Sequence, residues 1–236
     1  MRLSPAAFVI LCAIAMLVAI GVTGQILPAT DPRTAELRPW VASRALGVTA
    51  YLLLFLEVAL GLILSHPLNS TAWRKTMQVL PWHELLTVFT GAFLILHVAL
   101  IVIDPYANVG ILGALVPGLS AFRPVAVTLG TVALYALIFT AATAKWTRLL
   151  PSGWWLKVHR VAALTFLMAW AHALLAGTDS GALTPLYLAT GLPILAGVAH
   201  RWWTARGRPQ HVLPEAGPSE TTIRRLGPAP VLVEES

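Results

Sequence analysis

The stretch WWLKVHRVAALTFLMAWAHALLAG, residues 154–177, is apolar except for a basic start and two histidines, His159 and His172. A bilayer hydrocarbon core about 30 Å thick requires about 20 mostly apolar residues for one helical crossing. This stretch meets that length, and five other segments of the chain do so too. The six predicted spans are 6–27, 41–65, 82–103, 124–144, 156–177 and 183–203.

The overall composition predicts the same class of protein. Of the 236 residues, 57% are hydrophobic and only 11% are charged, and the mean hydropathy is +0.76. We therefore predict an all-α membrane protein in which residues 1–203 form one six-helix bundle. The first span follows Arg2 and is longer than the apolar core of a secretory signal, so we expect it to be retained. The proline-rich and charged residues 204–236 predict a disordered cytoplasmic tail.

The basic residues between the spans predict the topology. The net charge is +6, but it is spread over short loops, which argues against nucleic-acid binding. The positive-inside rule places the side with more lysine and arginine in the cytoplasm, so both termini are predicted to be cytoplasmic in a protein of the cell membrane. This topology places two loops, 28–40 and 104–124, on the outer side of the membrane. The second is long enough to fold over the outer mouth of the bundle. The predicted inner residues are Arg2, Arg74, Lys75, Lys145, Arg148, Lys157, Arg160, Arg201, Arg206, Arg208, Arg224 and Arg225, and the outer ones are Arg33, Arg38, Arg44 and Arg123.

Four histidines lie at matched depths in the third and fifth spans. His83 and His97 are fourteen residues apart in the third span, and His159 and His172 are thirteen apart in the fifth. The helical rise separates the two histidines of one span by about 20 Å, too far to share a metal ion whose bonds to imidazole are about 2 Å long. Both spans run outward, so His83 is expected to face His159 near the cytoplasm and His97 to face His172 near the outer surface.

Two facing imidazoles fit an iron porphyrin, which takes one axial ligand from each side. The alternative is that each histidine forms a hydrogen bond with a neighbouring helix, as polar residues in membrane bundles do. Four histidines at matched depths favour haem b between the third and fifth helices, with two haems expected, or one at the outer pair. At 100° per residue, however, His159 and His172 point about 140° apart on an ideal helix. The fifth span must tilt, tighten locally, or serve haems on different sides.

These features resemble the ferric-reductase-like transmembrane family, which includes NADPH oxidases, ferric-chelate reductases and the haem membrane subunit of the bacterial periplasmic methionine-sulfoxide reductase system. The resemblance rests on the six spans, on H-(x13)-H and H-(x12)-H, and on WLKVHRVAALTFLMAWAH and RALGVTAYLLLFLEVALG, and it covers about residues 41–177. It implies electron transfer through b-type haem from a cytosolic donor to an outer acceptor. The chain has no H-P-F-[ST] flavin motif and no nicotinamide-binding domain, so it is expected to be an oxidoreductase component that relies on partners.

Several charged residues are candidates to support the haems. Arg44, at the outer end of the second span, could receive the propionates of the outer haem, and Lys157 and Arg160 flank His159. For all three, the alternative is that the side chain reaches up to the lipid headgroups. Glu57 lies deep in the second span and is expected to be neutral and hydrogen-bonded, or to face a polar cavity.

Donor and acceptor are predicted only by class. The donor is a separate cytosolic flavoprotein or a quinone, with a flavin bound among the inner helix ends as a weaker alternative. The acceptor is extracytoplasmic: a reductase partner, a ferric chelate or oxygen. The competing hypothesis from a different class is a proton-coupled transporter or channel that uses the intramembrane histidines and Glu57.

Overall fold

A computed structural model describes residues 32–65, 72–151, 154–178 and 180–206, together with six single positions between 10 and 25. The described part of the chain is helical and contains no strand. Its α-helices are α1 (Pro32–Leu64), α2 (Ala72–Ile103), α3 (Gly110–Leu115), α4 (Pro124–Lys145), α5 (Trp155–His159), α6 (Val161–Ala176) and α7 (Ser180–Arg206), and a 3-10 turn covers Thr147–Leu149.

Five helical segments are long and apolar enough to cross a membrane. They are Ala35–Leu64, Val79–Ile103, Pro124–Lys145, Trp155–Ala176 and Gly181–Thr204. They correspond to the second to sixth predicted spans, so the protein is a multi-pass helical membrane protein. The first predicted span, 6–27, and the predicted tail, 204–236, lie almost wholly outside the described residues.

Two helices begin well before their apolar runs. We expected a loop over 28–40, but α1 is already helical from Pro32, and α2 begins at Ala72 instead of 82. Pro32 is tolerated in the first helical turn because the amide that it lacks has no helical acceptor there, whereas Pro39 lies inside α1. Hydropathy identifies only the part of a helix that lies in hydrocarbon. The polar turns at the start of α1 and α2 were therefore not predicted to be helical.

The described helices pack as two pairs that share a core. Helix α1 packs along α2, α4 packs along α6, and α7 contacts both α1 and α6. Tyr51, Phe166 and Tyr187 lie at the centre of the core, where the rings of Tyr51 and Phe166 stack with centroids 5.5 Å apart. The short helix α3 contacts both α2 and α4. The pairs therefore face each other across a gap whose outer half borders α3.

Candidate functional site: two facing histidine pairs

The structure brings the four histidines together in the two pairs that their spacing predicts. The ring centroids of His97 on α2 and His172 on α6 are 6.5 Å apart. Those of His83 on α2 and His159, the last residue of α5, are 6.1 Å apart. In each pair the ring planes are inclined at 75°. The histidines that were predicted to lie at the same depth are therefore confirmed to be spatial neighbours.

A break in the fifth predicted span lies directly after His159. The α-helix stops at His159 and resumes at Val161, so that α5 and α6 are separate helices. The amide of Ala163 donates to the carbonyl of Arg160, three residues back, at 3.3 Å. Such an i→i+3 bond belongs to a tighter turn of about 120° per residue. Local tightening, one of the three alternatives left open by the sequence, is therefore present, and it adds about 20° per residue to the ideal 100°.

The ring separations argue against a direct hydrogen bond between the two histidines of a pair. A direct N–H···N hydrogen bond of about 3 Å would put the ring centroids only about 5 Å apart. Two imidazoles on opposite sides of one metal ion, each bonded at about 2 Å, have centroids about 6.3 Å apart. The observed 6.1 Å and 6.5 Å are longer than the first value and close to the second, and they also lie in the range of ordinary edge-to-face ring packing.

Backbone carbonyls orient the outer pair. The Nδ1 atom of His97 lies 2.7 Å from the carbonyl oxygen of Ser43, and Nδ1 of His172 lies 2.7 Å from that of Ala126. A carbonyl accepts only, so each Nδ1 carries the hydrogen and donates it, which leaves a lone pair on Nε2. This carbonyl bond is the usual partner of a histidine that ligates metal through its other nitrogen.

Each imidazole of the outer pair packs against a glycine. This glycine follows, by one helical turn, the residue whose carbonyl orients the imidazole. A Cβ atom on Gly47 would lie 2.8 Å from Nδ1 of His97, and one on Gly130 would lie 2.7 Å from Nδ1 of His172. Both distances are shorter than any normal contact. Sequence reasoning missed these glycines, although their small-xxx-small spacings, Ser43-x-x-x-Gly47 and Ala126-x-x-x-Gly130, are typical of close helix packing.

The outer pair borders a mainly apolar cavity of about 180 Å³. Gly47 and Gly130 line it, as does Arg44, whose guanidinium lies 5.5 Å from the ring centroid of Trp40 and donates to Thr178 Oγ1 at 3.4 Å. The structure thus places Arg44 at the predicted level. It adds Arg123, which sequence reasoning did not single out and whose Nη1 donates to the carbonyls of Leu175 and Gly177 at the end of α6.

The inner pair, His83 and His159, has fewer hydrogen bonds than the outer pair. The Nδ1 atoms of His83 and His159 are buried, and within the part of the chain that the structure describes neither forms a hydrogen bond of standard geometry, although the backbone of Glu57 approaches His83. The ring of Trp155 stacks on His159 with centroids 5.5 Å apart. Lys157 and Arg160 are exposed, and Lys157 lies over the ring of Trp154 at 5.2 Å. No described contact directs either cation toward the pair.

Glu57 lies on α1 next to His83 and is buried. Its Oε1 accepts a hydrogen bond from Thr87 at 2.6 Å, and its Oε2 accepts one from Thr90 at 3.4 Å. The hydroxyl of Thr87 also lies 3.0 Å from the carbonyl of His83. The expectation that Glu57 is hydrogen-bonded is confirmed.

The described residues contain no group of three or more His, Cys, Asp or Glu side chains that could hold a metal ion. A porphyrin is different because it supplies four ligands itself and needs only two from the protein. The facing pairs fit that requirement in number and in ring separation.

The fold and the site define a multi-pass, all-helical membrane protein with two facing histidine pairs between its helices. No protein-family model, curated protein or solved structure matches the chain. The resemblance to the ferric-reductase-like family therefore stays a prediction from the sequence.

Proposed function

We propose that this protein is a b-type cytochrome module of the ferric-reductase-like kind that transfers electrons across the cell membrane. His97 and His172 would hold an outer haem, and His83 and His159 an inner one. The observation that carries the proposal is the ring separation in both pairs, which suits two ligands of one metal and not a direct hydrogen bond. Bound haem would supply reversible one-electron chemistry that no side chain of the pairs provides.

The outer pair has the stronger support. The carbonyls of Ser43 and Ala126 fix the tautomer of the two imidazoles and raise their basicity as ligands. Gly47 and Gly130 let the rings approach the helix backbones. Arg44, at the same cavity, is suited to receive a propionate that would otherwise be buried without a partner. If a single haem is bound, these contacts favour the outer site.

The direction of electron flow follows from the predicted topology. The inner pair lies near the side with more basic residues, so electrons would enter at His83 and His159 and leave beyond His97 and His172. The ligand levels are about 21 Å apart along α2 by helical rise. An extracytoplasmic reductase, a ferric chelate or oxygen would accept the electrons.

A separate cytosolic flavoprotein is the donor that the inner surface favours, with a quinone as the second choice. A nicotinamide delivers a hydride whereas haem takes one electron at a time, so a flavin normally stands between them. Lys145, Arg148, Lys157 and Arg160 are exposed at the inner helix ends. They form a basic surface on which an acidic protein could dock.

The function is tested in proteoliposomes that contain trapped ferricyanide and receive a reduced, membrane-impermeant dye outside. We expect ferricyanide to be reduced at a rate that depends on haem content. A double His97→Ala, His172→Ala variant should lose this activity, whereas Glu57→Gln should keep it. Wild-type vesicles that contain haem but pass no electrons would contradict the proposal. Proton flux without electron flux, lost in Glu57→Gln, would favour the transporter.

A further inference from the structure

The segment between α2 and α4 is bonded to the side of α4 well below its outer end. Thr131 Oγ1 donates to the carbonyl of Ala114 at 2.9 Å, and the Tyr135 hydroxyl donates to the carbonyl of Leu115. On the returning part of the segment, the amide of Gly118 donates to Thr128 Oγ1 at 2.9 Å. Three side chains on α4 thus hold the backbone of this segment at successive levels.

These bonds give the depth of the segment. Thr131 is seven residues beyond Pro124, or about 10 Å along the helix axis. The Tyr135 side chain leans toward the start of α4, as helical side chains do, and so reaches a similar level. The 22 residues of α4 span about 33 Å, close to the thickness of the hydrocarbon core. With α4 spanning the hydrocarbon core, the end of α3 lies about 10 Å below the outer end of that helix.

The segment meets the condition for irregular backbone at membrane depth. Unpaired amides and carbonyls are costly in hydrocarbon, so such backbone survives only where protein groups satisfy it. The hydroxyls of α4 do this for Ala114, Leu115 and Gly118. The two limbs also pack closely, since a Cβ on Gly113 would lie 3.2 Å from Cα of Ser120.

The two faces of the segment differ in their surroundings. Val109 and Ala114 are buried and line the cavity that contains the outer histidines. Ile111, Leu112 and Leu119 are exposed by 62%, 67% and 59% of their surfaces. The sequence has no charged residue between 104 and 123. Large apolar side chains at this depth, without charges among them, are suited to lipid acyl chains.

We propose that residues 104–123 form a re-entrant hairpin that inserts into the outer leaflet, contacts acyl chains through Ile111, Leu112 and Leu119, and closes the outer cavity between α2 and α4. This differs from the sequence-based expectation of a loop lying over the mouth. The hairpin descends through α3 and returns to Arg123, where α4 begins. Its position does not depend on what the cavity binds.

The test measures depth with fluorescent cysteine labels in the full-length protein, in a Cys12→Ser background. Leu112→Cys probes the hairpin, Val125→Cys marks the outer end of α4, and Phe139→Cys marks the region below the bilayer midplane. Val125 and Phe139 are both exposed on α4, so they calibrate the depth scale. The protein is placed in phosphatidylcholine vesicles that carry nitroxide quenchers either on the headgroup or at defined acyl carbons.

We expect the label at Leu112 to be quenched more strongly by acyl-chain nitroxide than by headgroup nitroxide, at a depth between the two α4 labels. Iodide in the water should quench it several-fold less than a label on Ala121→Cys, near the start of α4. Strong quenching at Leu112 by iodide and by headgroup nitroxide would overturn the proposal. If Leu112→Cys does not fold, Ile111→Cys provides the same measurement. The result is independent of haem content, so it separates this proposal from the proposed function.

Discussion

A single methyl group placed on Gly130 should disable the outer site. In Gly130→Ala the new Cβ would lie 2.7 Å from Nδ1 of His172 and 2.8 Å from its Cε1. Non-bonded atoms prefer separations of about 3.5 Å or more, so the imidazole must withdraw by about 0.8 Å. The carbonyl of Ala126 belongs to the same helix as Gly130, and the 2.7 Å hydrogen bond to it cannot be kept when the ring withdraws.

Two independent estimates give the size of the effect. Overpacking of this kind costs about 1–3 kcal/mol. Loss of a hydrogen bond that orients a ligating histidine lowers metal affinity about 10- to 100-fold. Since about 1.4 kcal/mol corresponds to a factor of ten, the two ranges agree. We expect haem affinity at the outer site to fall by about one to two orders of magnitude, and Gly47→Ala to behave similarly through His97.

The assay is titration of haem into apo-protein purified from haem-deficient cells, followed by absorbance. Gly91→Ala is the matched control, because a Cβ at Gly91 meets nothing within 4 Å and alanine favours the helix. The inner site provides an internal control, since it lies about 20 Å away by helical rise. If Gly130→Ala bound haem at the outer site as tightly as Gly91→Ala does, our account of the outer site would be refuted.

Three further predictions concern topology, Glu57 and the electron donor. In the cysteine-free background, a cysteine at Ala121 should react with an impermeant maleimide from outside and one at Arg148 only from inside; labelling of both from one side would defeat the topology. Glu57→Gln should preserve thermal stability in detergent, whereas Glu57→Leu should lower the free energy of unfolding by about 1–3 kcal/mol because it removes the acceptors of Thr87 and Thr90; equal stability of the two variants would contradict this role. NADPH alone should not reduce the haems anaerobically, and addition of a soluble flavin reductase should allow it; rapid reduction by NADPH alone would mean that the chain itself binds a nucleotide.

The histidine pairs could be predicted from the sequence because the depth of each histidine depends only on its position within its own helix. Helical rise converts fourteen and thirteen residues into matched depths, and hydropathy marks the helices that carry them. The lipid-facing length of each described span was predictable for the same reason. Glu57 was expected to be hydrogen-bonded because a carboxyl at that depth needs partners.

Other features depend on which helices are neighbours, and a single sequence does not contain that information. Gly47 and Gly130 gain their meaning only when His97 and His172 approach from other helices. The break at Arg160 is a local departure from helical geometry that composition does not mark. The descent of residues 104–123 depends on hydroxyls of α4 that look, in the sequence, like ordinary residues of an apolar helix.

The number of haems per chain tests the central claim most directly. The haem in purified full-length protein from a haem-replete host is measured as the pyridine haemochrome and divided by the amount of protein. The same measurement is made on His172→Ala, on His159→Ala and on the control Gly91→Ala, which lies outside both histidine pairs. We predict two b-type haems in the wild type and the control, and one in each histidine variant. A wild-type protein that is folded but colourless, or a haem content unchanged by both histidine substitutions, would contradict the account.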